Sequence, residues 1–369
     1  MMTSWSWVIG LILGATIGSF LNVVIYRMPR GMSLSKPAHS FCPNCNHALL
    51  IFPDMVPLLS WAFMGAKCRY CKHKISSRYF FVELINGVIW AGIWYQYLIV
   101  GSDMPTAIFY AIGASALVVA IFVDLELYII PDQVNAFLLF AGLAYNGWLI
   151  YHHDPRGYAW GVPSSVVGAL VGVGALWGIA IFGRVLFRKD AMGHGDIKMA
   201  RGIGAILFMG PALLSFGLAV LLGAVLGILQ IAFRAKPAVT HLSDAGESSA
   251  PEEEEVPPPE SIASLIKCGL GYVLCIDVIG LFIPKLYMAW FGEDPFLPVQ
   301  DMGDFKVELT MIPFGPYLAL GAIIATIFKD PMLGVWNSYV HSIRGDVGLL
   351  EHWRTIAGLV TGANREPMG

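Results

Sequence analysis

Charged side chains are scarce in this chain of 369 residues. Only 13% of the residues are Asp, Glu, Lys or Arg, whereas 56% carry hydrophobic side chains. Soluble domains are about one-quarter charged, so this composition excludes an ordinary soluble globular fold. The formal net charge of -3 leaves no overall basic field of the kind that binds nucleic acid through phosphates. What remains is a polytopic membrane protein.

Charge is absent, or nearly so, from several stretches that could cross a bilayer. A helix rises about 1.5 Å per residue, so roughly 20 apolar residues span the hydrocarbon core. The apolar stretches lie at 1–26, 79–100, 106–123, 133–151, 164–183, 202–233 and 313–328. The stretch 202–233 is long enough for two spans, with Gly210-Pro211 as the turn between them. The sequence therefore predicts an all-α polytopic membrane protein with about eight transmembrane helices.

Lys and Arg are almost missing from one set of predicted loops. With the N-terminus outside, the inner loops up to residue 236 carry fourteen Lys and Arg residues, and the outer loops carry only Arg156. Because these residues accumulate on the cytoplasmic side, the asymmetry predicts the orientation of the chain. A basic region and a small-residue cleavage site are both lacking in 1–26, so we expect this stretch to remain as the first span.

Lys and Arg are also missing from residues 237–260, which carry seven acids and a proline run. This composition is typical of a solvated linker, although a glutamate run can also bind a basic partner. An inserted segment follows at 261–312 and contains an apolar stretch at 264–283. If that stretch crosses the bilayer, the last apolar helix at 313–328 begins outside, and if it does not, the helix begins inside. The tail 329–369 is expected to be peripheral.

The inner loop 27–78 contains two pairs of cysteines in a CxxC pattern. With 22 residues between the pairs, they are Cys42, Cys45, Cys68 and Cys71. Four thiolates at this spacing are typical of a closed structural zinc site. Two disulfides are the alternative, but disulfides rarely persist on the reducing cytoplasmic side. The loop carries eight Lys and Arg against one acid, so we expect a small cytoplasmic zinc-ribbon-like domain that contacts lipid headgroups rather than nucleic acid.

Two aspartates lie at the cytoplasmic ends of predicted spans. Asp124 follows the stretch 106–123, and Asp196 lies after a Gly-His-Gly tripeptide at the start of another span. An ionisable group near the hydrocarbon is costly and calls for a partner or a function. Because both lie at the same depth, the carboxylates are expected to meet, share one proton and activate water, as in aspartic proteases. Helix capping is the alternative role for both.

Residues near the two aspartates have roles of their own to test. Gly193 and Gly195 lack a Cβ and let the backbone, or an extended substrate strand, approach Asp196 closely. Lys198 either pairs with a carboxylate or anchors its helix at the headgroups. Asp132 follows a proline and is expected to begin the next helix as a cap or a first-turn acid. Glu126 either belongs to the site or faces water.

The motifs occur in an order that carries a family resemblance. Besides the two CxxC pairs and the two aspartates, the chain has Gly18 to Arg27, Pro57 to Trp61, Ser77 to Leu84, Pro131-Asp132, Gly193 to Lys198 and Pro313 to Pro316. In this combination, over most of residues 14–234 and again at 313–320, the chain resembles the bacterial type IV prepilin peptidases. These enzymes are also called leader peptidase/N-methyltransferases and are GxGD intramembrane aspartic proteases.

The resemblance implies that different parts of the chain carry the peptidase and the methyltransferase activity. Asp124 and Asp196 would form the catalytic pair of a peptidase core at 79–236. The substrates would be type IV prepilins and type II secretion pseudopilins, cut after a glycine on the cytoplasmic face of the bacterial inner membrane. Many members then methylate the new N-terminus with S-adenosylmethionine, an activity associated with the loop 27–78, and Arg78 and Glu83 belong to that neighbourhood. Proteolysis itself would need no cofactor.

The chain also departs from the family pattern. Between Arg234 and Pro313 it has an insertion of roughly 75 residues where the family usually has a short connection. Phe80 stands where members often have proline, and Met55-Val56 stand where they often have Asn-Ile, which makes methylation a weaker expectation than proteolysis.

Two other classes of protein fit parts of the sequence. A proton-coupled transporter would also place carboxylates in its spans, but near the midplane and in related halves, and no repeat is visible. A membrane-anchored zinc-ribbon binding module would explain the cysteines and leave the aspartates as caps. The sequence does not indicate an oligomeric state.

Overall fold

The computed structural model describes residues 5–37, 39–42, 44–50, 52–188, 192–234, 261–297 and 313–334. The predicted acidic linker at 237–260, the last part of the inserted segment and most of the predicted tail therefore lie outside the described residues.

Helices make up most of the described chain. They are α1 (Trp7–Arg27), α2 (Leu59–Phe63), α3 (Arg78–Trp94), α4 (Met104–Leu127), α5 (Asp132–Tyr151), α6 (Ser164–Phe187), α7 (His194–Leu207), α8 (Met209–Arg234), α9 (Ile262–Val273), α10 (Ile276–Phe282), α11 (Pro284–Phe291) and α12 (Gly315–Ile327). A π-helical segment, Tyr95–Val100, extends α3. Two short antiparallel strands, β1 (Tyr158–Ala159) and β2 (Val162–Pro163), connect α5 to α6. The predicted all-α class is confirmed.

Five of the described helices are long and apolar enough to cross a membrane. They are α1, α4, α5, α6 and α8. Helices α3, α7 and α12 are shorter, with 17, 14 and 13 residues, so the count of eight spans stays a prediction. Helices α7 and α8 meet at Phe208, two residues before the predicted turn at Gly210. The inserted apolar stretch is not a straight helix, because α9 and α10 meet at an angle of 70°.

Helix α4 occupies the centre of the bundle, where it packs against α1, α3, α5 and α12. Asp103 caps its start by accepting a hydrogen bond from the Thr106 backbone N–H at 3.2 Å. Its end is set by Tyr128, which adopts a left-handed conformation with φ of 56°. Asp124 therefore lies in the last turn of a buried helix.

Helix α7 is wrapped by other helices along its whole length. Every residue from Asp196 to Leu207 is buried, and α5, α6, α8 and α12 pack around it. The approach of α6 is close because Gly168 of α6 lies directly against Gly204 of α7, and a Cβ on either residue would overlap the backbone of the other. This packing sets the position of Asp196 in the first turn of α7.

Candidate functional site

The two predicted aspartates meet in one cavity. Asp124 is 6% exposed and Asp196 is 8% exposed. Both line a cavity of about 1190 Å³, and the charge on Asp124 acts electrostatically on Asp196. Carboxylates in this relation disfavour double ionisation, so the pair can hold one proton between them. The structure thus brings together residues 72 positions apart in the chain, at the end of α4 and the start of α7.

The loop before α7 and the start of α12 frame the two carboxylates. Gly193 and Gly195 line the cavity, and the Gly193 backbone donates a hydrogen bond to the Asp196 carboxylate. Asp196 also lies in the first helical turn, where the helix dipole favours a negative charge. On the other side, Gly315 at the start of α12 packs directly against Oδ2 of Asp124.

Lys198 pairs with a carboxylate of the neighbouring helix. Its Nζ donates to both carboxylate oxygens of Asp132 at 2.8 Å. The side chains are 8% and 12% exposed, so this is a largely buried ion pair. Asp132 is the first residue of α5 and the acidic residue of its first turn, which is one of the two roles expected for it. Of the two sequence-based alternatives for Lys198, pairing with a carboxylate is therefore the one observed.

One wall of the cavity comes from the inserted segment, which sequence reasoning left without a role. Tyr287 of α11 and the residues 293–297 after it line the cavity beside the two aspartates. This wall adds two acids, Glu293 and Asp294. No local motif in the sequence indicates that these residues belong to the cavity. They lie about 90 or more positions beyond Asp196 and reach the cavity only through packing of the helices.

A second cavity, of about 540 Å³, lies beside the cysteine loop. Arg78 and Glu83 both line it. Glu83 accepts a hydrogen bond from the Leu58 backbone N–H at 2.7 Å, and Arg78 forms an ion pair with Glu126 at 2.6 Å. The two residues predicted as a methyltransferase neighbourhood thus share one concave site.

A thin wall separates the two cavities. Asp124 faces the first cavity, and Glu126, two residues later on α4, faces the second. The turn after α1 is divided in the same way, because Met28 lines the first cavity and Arg30 lines the second. Residues two apart on a helix point about 200° apart, so the end of α4 is itself the partition.

The four predicted metal ligands form one cluster. The sulfur atoms of Cys42, Cys45, Cys68 and Cys71 all lie within 4.8 Å of one another. The Sγ atoms of Cys42 and Cys71 are 3.9 Å apart. Zinc–sulfur bonds of about 2.3 Å in a tetrahedron place sulfurs roughly 3.8 Å apart, so the cluster fits zinc.

The two CxxC turns have the same pattern of backbone hydrogen bonds. In the first, the Cys42 backbone N–H donates to the His47 carbonyl at 3.0 Å. In the second, the Cys68 N–H donates to the His73 carbonyl at 2.8 Å. Despite a hydrogen bond from the His47 backbone, desolvation and the neighbouring sulfurs of Cys71 and Cys42 raise the pKa of the Cys45 thiol to about 11. In contrast, the His73 backbone donates a hydrogen bond to the sulfur of Cys71, which lowers the pKa of this thiol to about 6. A thiolate at neutral pH is the form that binds a metal.

Arg27 holds the loop that leads from α1 to the first CxxC turn. Arg27 is 3% exposed, and its guanidinium donates to the backbone carbonyls of Ser33, Leu34, Pro37 and His39 at 2.9 to 3.3 Å. These four hydrogen bonds hold the loop folded back over the end of α1. The cysteine cluster is thereby brought over the second cavity, which Cys42 and Cys68 also line.

Comparisons with known proteins agree with the two-part site. The model of the bacterial Peptidase A24 N-terminal domain matches residues 12–97, and that of the type IV leader peptidase family matches residues 111–228. Among similar proteins, a prepilin leader peptidase/N-methyltransferase of Myxococcus xanthus is 30% identical over 337 residues, covering 89% of this chain and 90% of that protein. One of Aeromonas salmonicida is 32% identical over 242 residues, covering 59% of this chain and 79% of its own length. No solved structure matches the chain.

Proposed function

Because this chain belongs to the type IV leader peptidase family, we propose that it cleaves the leaders of type IV prepilins and pseudopilins with Asp124 and Asp196 as its catalytic pair. The observation that carries the proposal is the meeting of these two buried carboxylates in one cavity. Related proteins carry both peptidase and N-methyltransferase in their names, and the two separate cavities of this chain support the proposal of two sites.

The mechanism follows from the shared proton. The ionised aspartate accepts a proton from a water molecule, and the water oxygen attacks the scissile carbonyl carbon. The protonated aspartate donates a hydrogen bond to the carbonyl oxygen as negative charge develops there. Proton return to the leaving amine then completes cleavage. Burial of both carboxylates strengthens these interactions because little water screens them.

The cleavage site is proposed to face the cytoplasm. The cavity lies at the end of the molecule that carries the cysteine loop, since the ends of α1 and α4 border both cavities. That loop is rich in Lys and Arg, which accumulate on the cytoplasmic side of the inner membrane. A prepilin whose hydrophobic segment lies in the bilayer would then present its leader at this surface.

The second cavity is proposed as the site where the new N-terminus is methylated with S-adenosylmethionine. Its half-buried Glu83 can bind the substrate amine or accept its proton, and Arg78 shapes the wall through Glu126. Zinc held by the four cysteines would fold the loop that covers this cavity, since a closed four-thiolate site leaves no open position for catalysis.

The two rival classes are not favoured. A proton-coupled transporter needs carboxylates near the midplane, whereas Asp124 and Asp196 lie at helix ends beside the cysteine loop. A zinc-ribbon binding module would leave the aspartates as caps. Asp124 lies in the last turn of α4, and a capping carboxylate belongs at the start of a helix instead.

Cleavage by reconstituted protein tests the proposal. We expect the parent to cut a prepilin at its Gly-Phe junction, and Asp124→Asn or Asp196→Asn to lose at least about 1,000-fold in rate, because each removes a proton-transfer group. Asp154→Asn is the matched control, since Asp154 pairs with Arg156 in the loop between α5 and α6, outside the cavity. Normal cleavage by either dyad variant would contradict the assignment.

A further inference from the structure

The inserted segment is tied to α7 by a buried ion pair. Arg201 lies one turn after Lys198, and its guanidinium donates to both carboxylate oxygens of Asp277 at 2.8 and 2.6 Å. Both side chains are 2% exposed. Arg201 also donates to the Tyr272 carbonyl at 2.7 Å, at the end of α9. The bend between α9 and α10 is therefore closed around a side chain of the helix that carries Asp196.

A second tie connects the insertion to the ion pair beside the dyad. Tyr287 of α11 is 3% exposed. Its hydroxyl donates to Oδ2 of Asp132 and accepts a hydrogen bond from Nζ of Lys198 at 2.9 Å. Three side chains from α5, α7 and α11 thus form one closed polar network.

Aromatic rings of the insertion also surround the Lys198 ammonium. Its Nζ lies 5.4 Å from the ring centre of Tyr272, 5.3 Å from that of Tyr287 and 5.6 Å from that of Phe291. A cation at these distances from ring faces is attracted to them. Among the described residues, the Lys198 ammonium donates hydrogen bonds to Asp132 and Tyr287. Together with the three rings, these bonds hold the ammonium in one position.

We propose that Tyr287 is a positioning residue of the peptidase, which holds the Lys198–Asp132 pair and through it the first turn of α7 with Asp196. This inference rests on the proposed function of Asp196. Lys198 is two residues from Asp196 on the same helix, and both line the cavity. A displacement of about 1 Å in a reacting group can cost about 100-fold in rate. The inserted segment would then contribute to cleavage by holding Asp196 in position.

The experiment compares Tyr287→Phe with Trp290→Phe in the reconstituted full chain. Tyr287→Phe keeps the ring that packs on Phe291 and removes only the hydroxyl. Trp290 lies on the same helix, but its indole N–H donates to the Lys267 carbonyl within the insertion, away from α7. We expect Tyr287→Phe to lower kcat for prepilin cleavage about 10- to 100-fold with KM changed less than about twofold, and Trp290→Phe to leave both unchanged.

A double-mutant comparison separates positioning from loss of folding. Rates are normalised to the folded fraction, measured by size-exclusion chromatography. If Tyr287 acts through the network, adding Tyr287→Phe to Asp132→Asn should cost less than about twofold more, because the partner is already altered. Full additivity, unchanged kcat in Tyr287→Phe, or an equal loss in Trp290→Phe would overturn the proposal. A parent that does not cleave, beside Asp124→Asn, would overturn the proposed function and this inference together.

Discussion

At the residue scale, Asp124, one of the two carboxylates proposed as catalytic, has a neighbour that leaves it little room. Gly315 lies against Oδ2 of Asp124, and a Cβ at this position would overlap that oxygen and lie 2.9 Å from Cδ1 of Ile130. Contacts of this kind force one of the groups to move. The carboxylate makes the closer contact and can rotate about its side-chain torsions, so a methyl group at 315 should turn it away from its position beside Asp196.

Gly315→Ala should therefore lower the cleavage rate about 100-fold with little loss of folded protein, because a reacting group is displaced while the core stays packed. Initial rates of prepilin cleavage measure the effect. Gly174→Ala on α6 is the matched control, since a Cβ there meets nothing within 4 Å. Equal rates in the two variants would show that Asp124 tolerates the contact and that its position is not critical.

At the element scale, the two CxxC turns act as a pair. Each turn is closed by its own backbone hydrogen bonds, but their sulfur atoms form a single cluster. Neither short turn has a hydrophobic core of its own, and the ring of His47 in one turn contacts that of Tyr70 in the other. A metal ion shared by the four sulfurs is expected to supply most of the remaining energy that joins the turns. Removing one cysteine should for this reason release the metal from the whole cluster.

Cys68→Ser is expected to reduce bound zinc from about one ion per chain to near zero, because three thiolates bind zinc far more weakly than four. Metal analysis of the purified protein measures this. Cys275→Ser is the control, since Cys275 lies at the α9–α10 bend outside the cluster. Full zinc content in Cys68→Ser, or equal loss in Cys275→Ser, would show that these cysteines are not the ligands.

At the scale of the whole molecule, the two cavities lie back to back across the end of α4. Asp124 and Glu126 face opposite sides of that helix, so the two proposed activities would use different residues. On the proposed function, an N-terminus released at Asp124 and Asp196 would have to pass only the end of α4 to reach Glu83. The two activities should then be separable by mutation.

Glu83→Gln should cleave prepilin within about twofold of the parent rate but methylate it at least about tenfold more slowly, because the second cavity loses the carboxylate proposed to bind the amine or accept its proton. Asp124→Asn should fail to cleave, yet should methylate a pilin supplied already cleaved. Transfer of labelled methyl groups from S-adenosylmethionine measures both. Loss of cleavage in Glu83→Gln, or of methylation of cleaved pilin in Asp124→Asn, would mean that the cavities are not independent.

Much of this arrangement could be predicted from sequence, since the signals are local. Uncharged stretches marked the helices, the CxxC spacing marked the cysteine cluster, and helix-end positions marked Asp124 and Asp196. The break between α7 and α8 was predicted two residues late, because Phe208 adopts a positive φ that is unusual for a phenylalanine. The partner of Lys198 could not be predicted, since the local sequence suits both pairing with a carboxylate and anchoring at the lipid headgroups.

The sequence by itself determined the membrane class, the helical architecture and which residues to consider as candidates for the two sites. These follow from composition and from short spacings, which act through local geometry and the cost of placing charge in hydrocarbon. Only the tertiary structure decided that the insertion forms a wall of the cavity that holds Asp124 and Asp196, and that it contacts α7 through Tyr287 on Lys198 and Asp277 on Arg201. The reason is physical: contacts between residues 76 or 89 positions apart have no period in the sequence and arise only when packing brings their helices together.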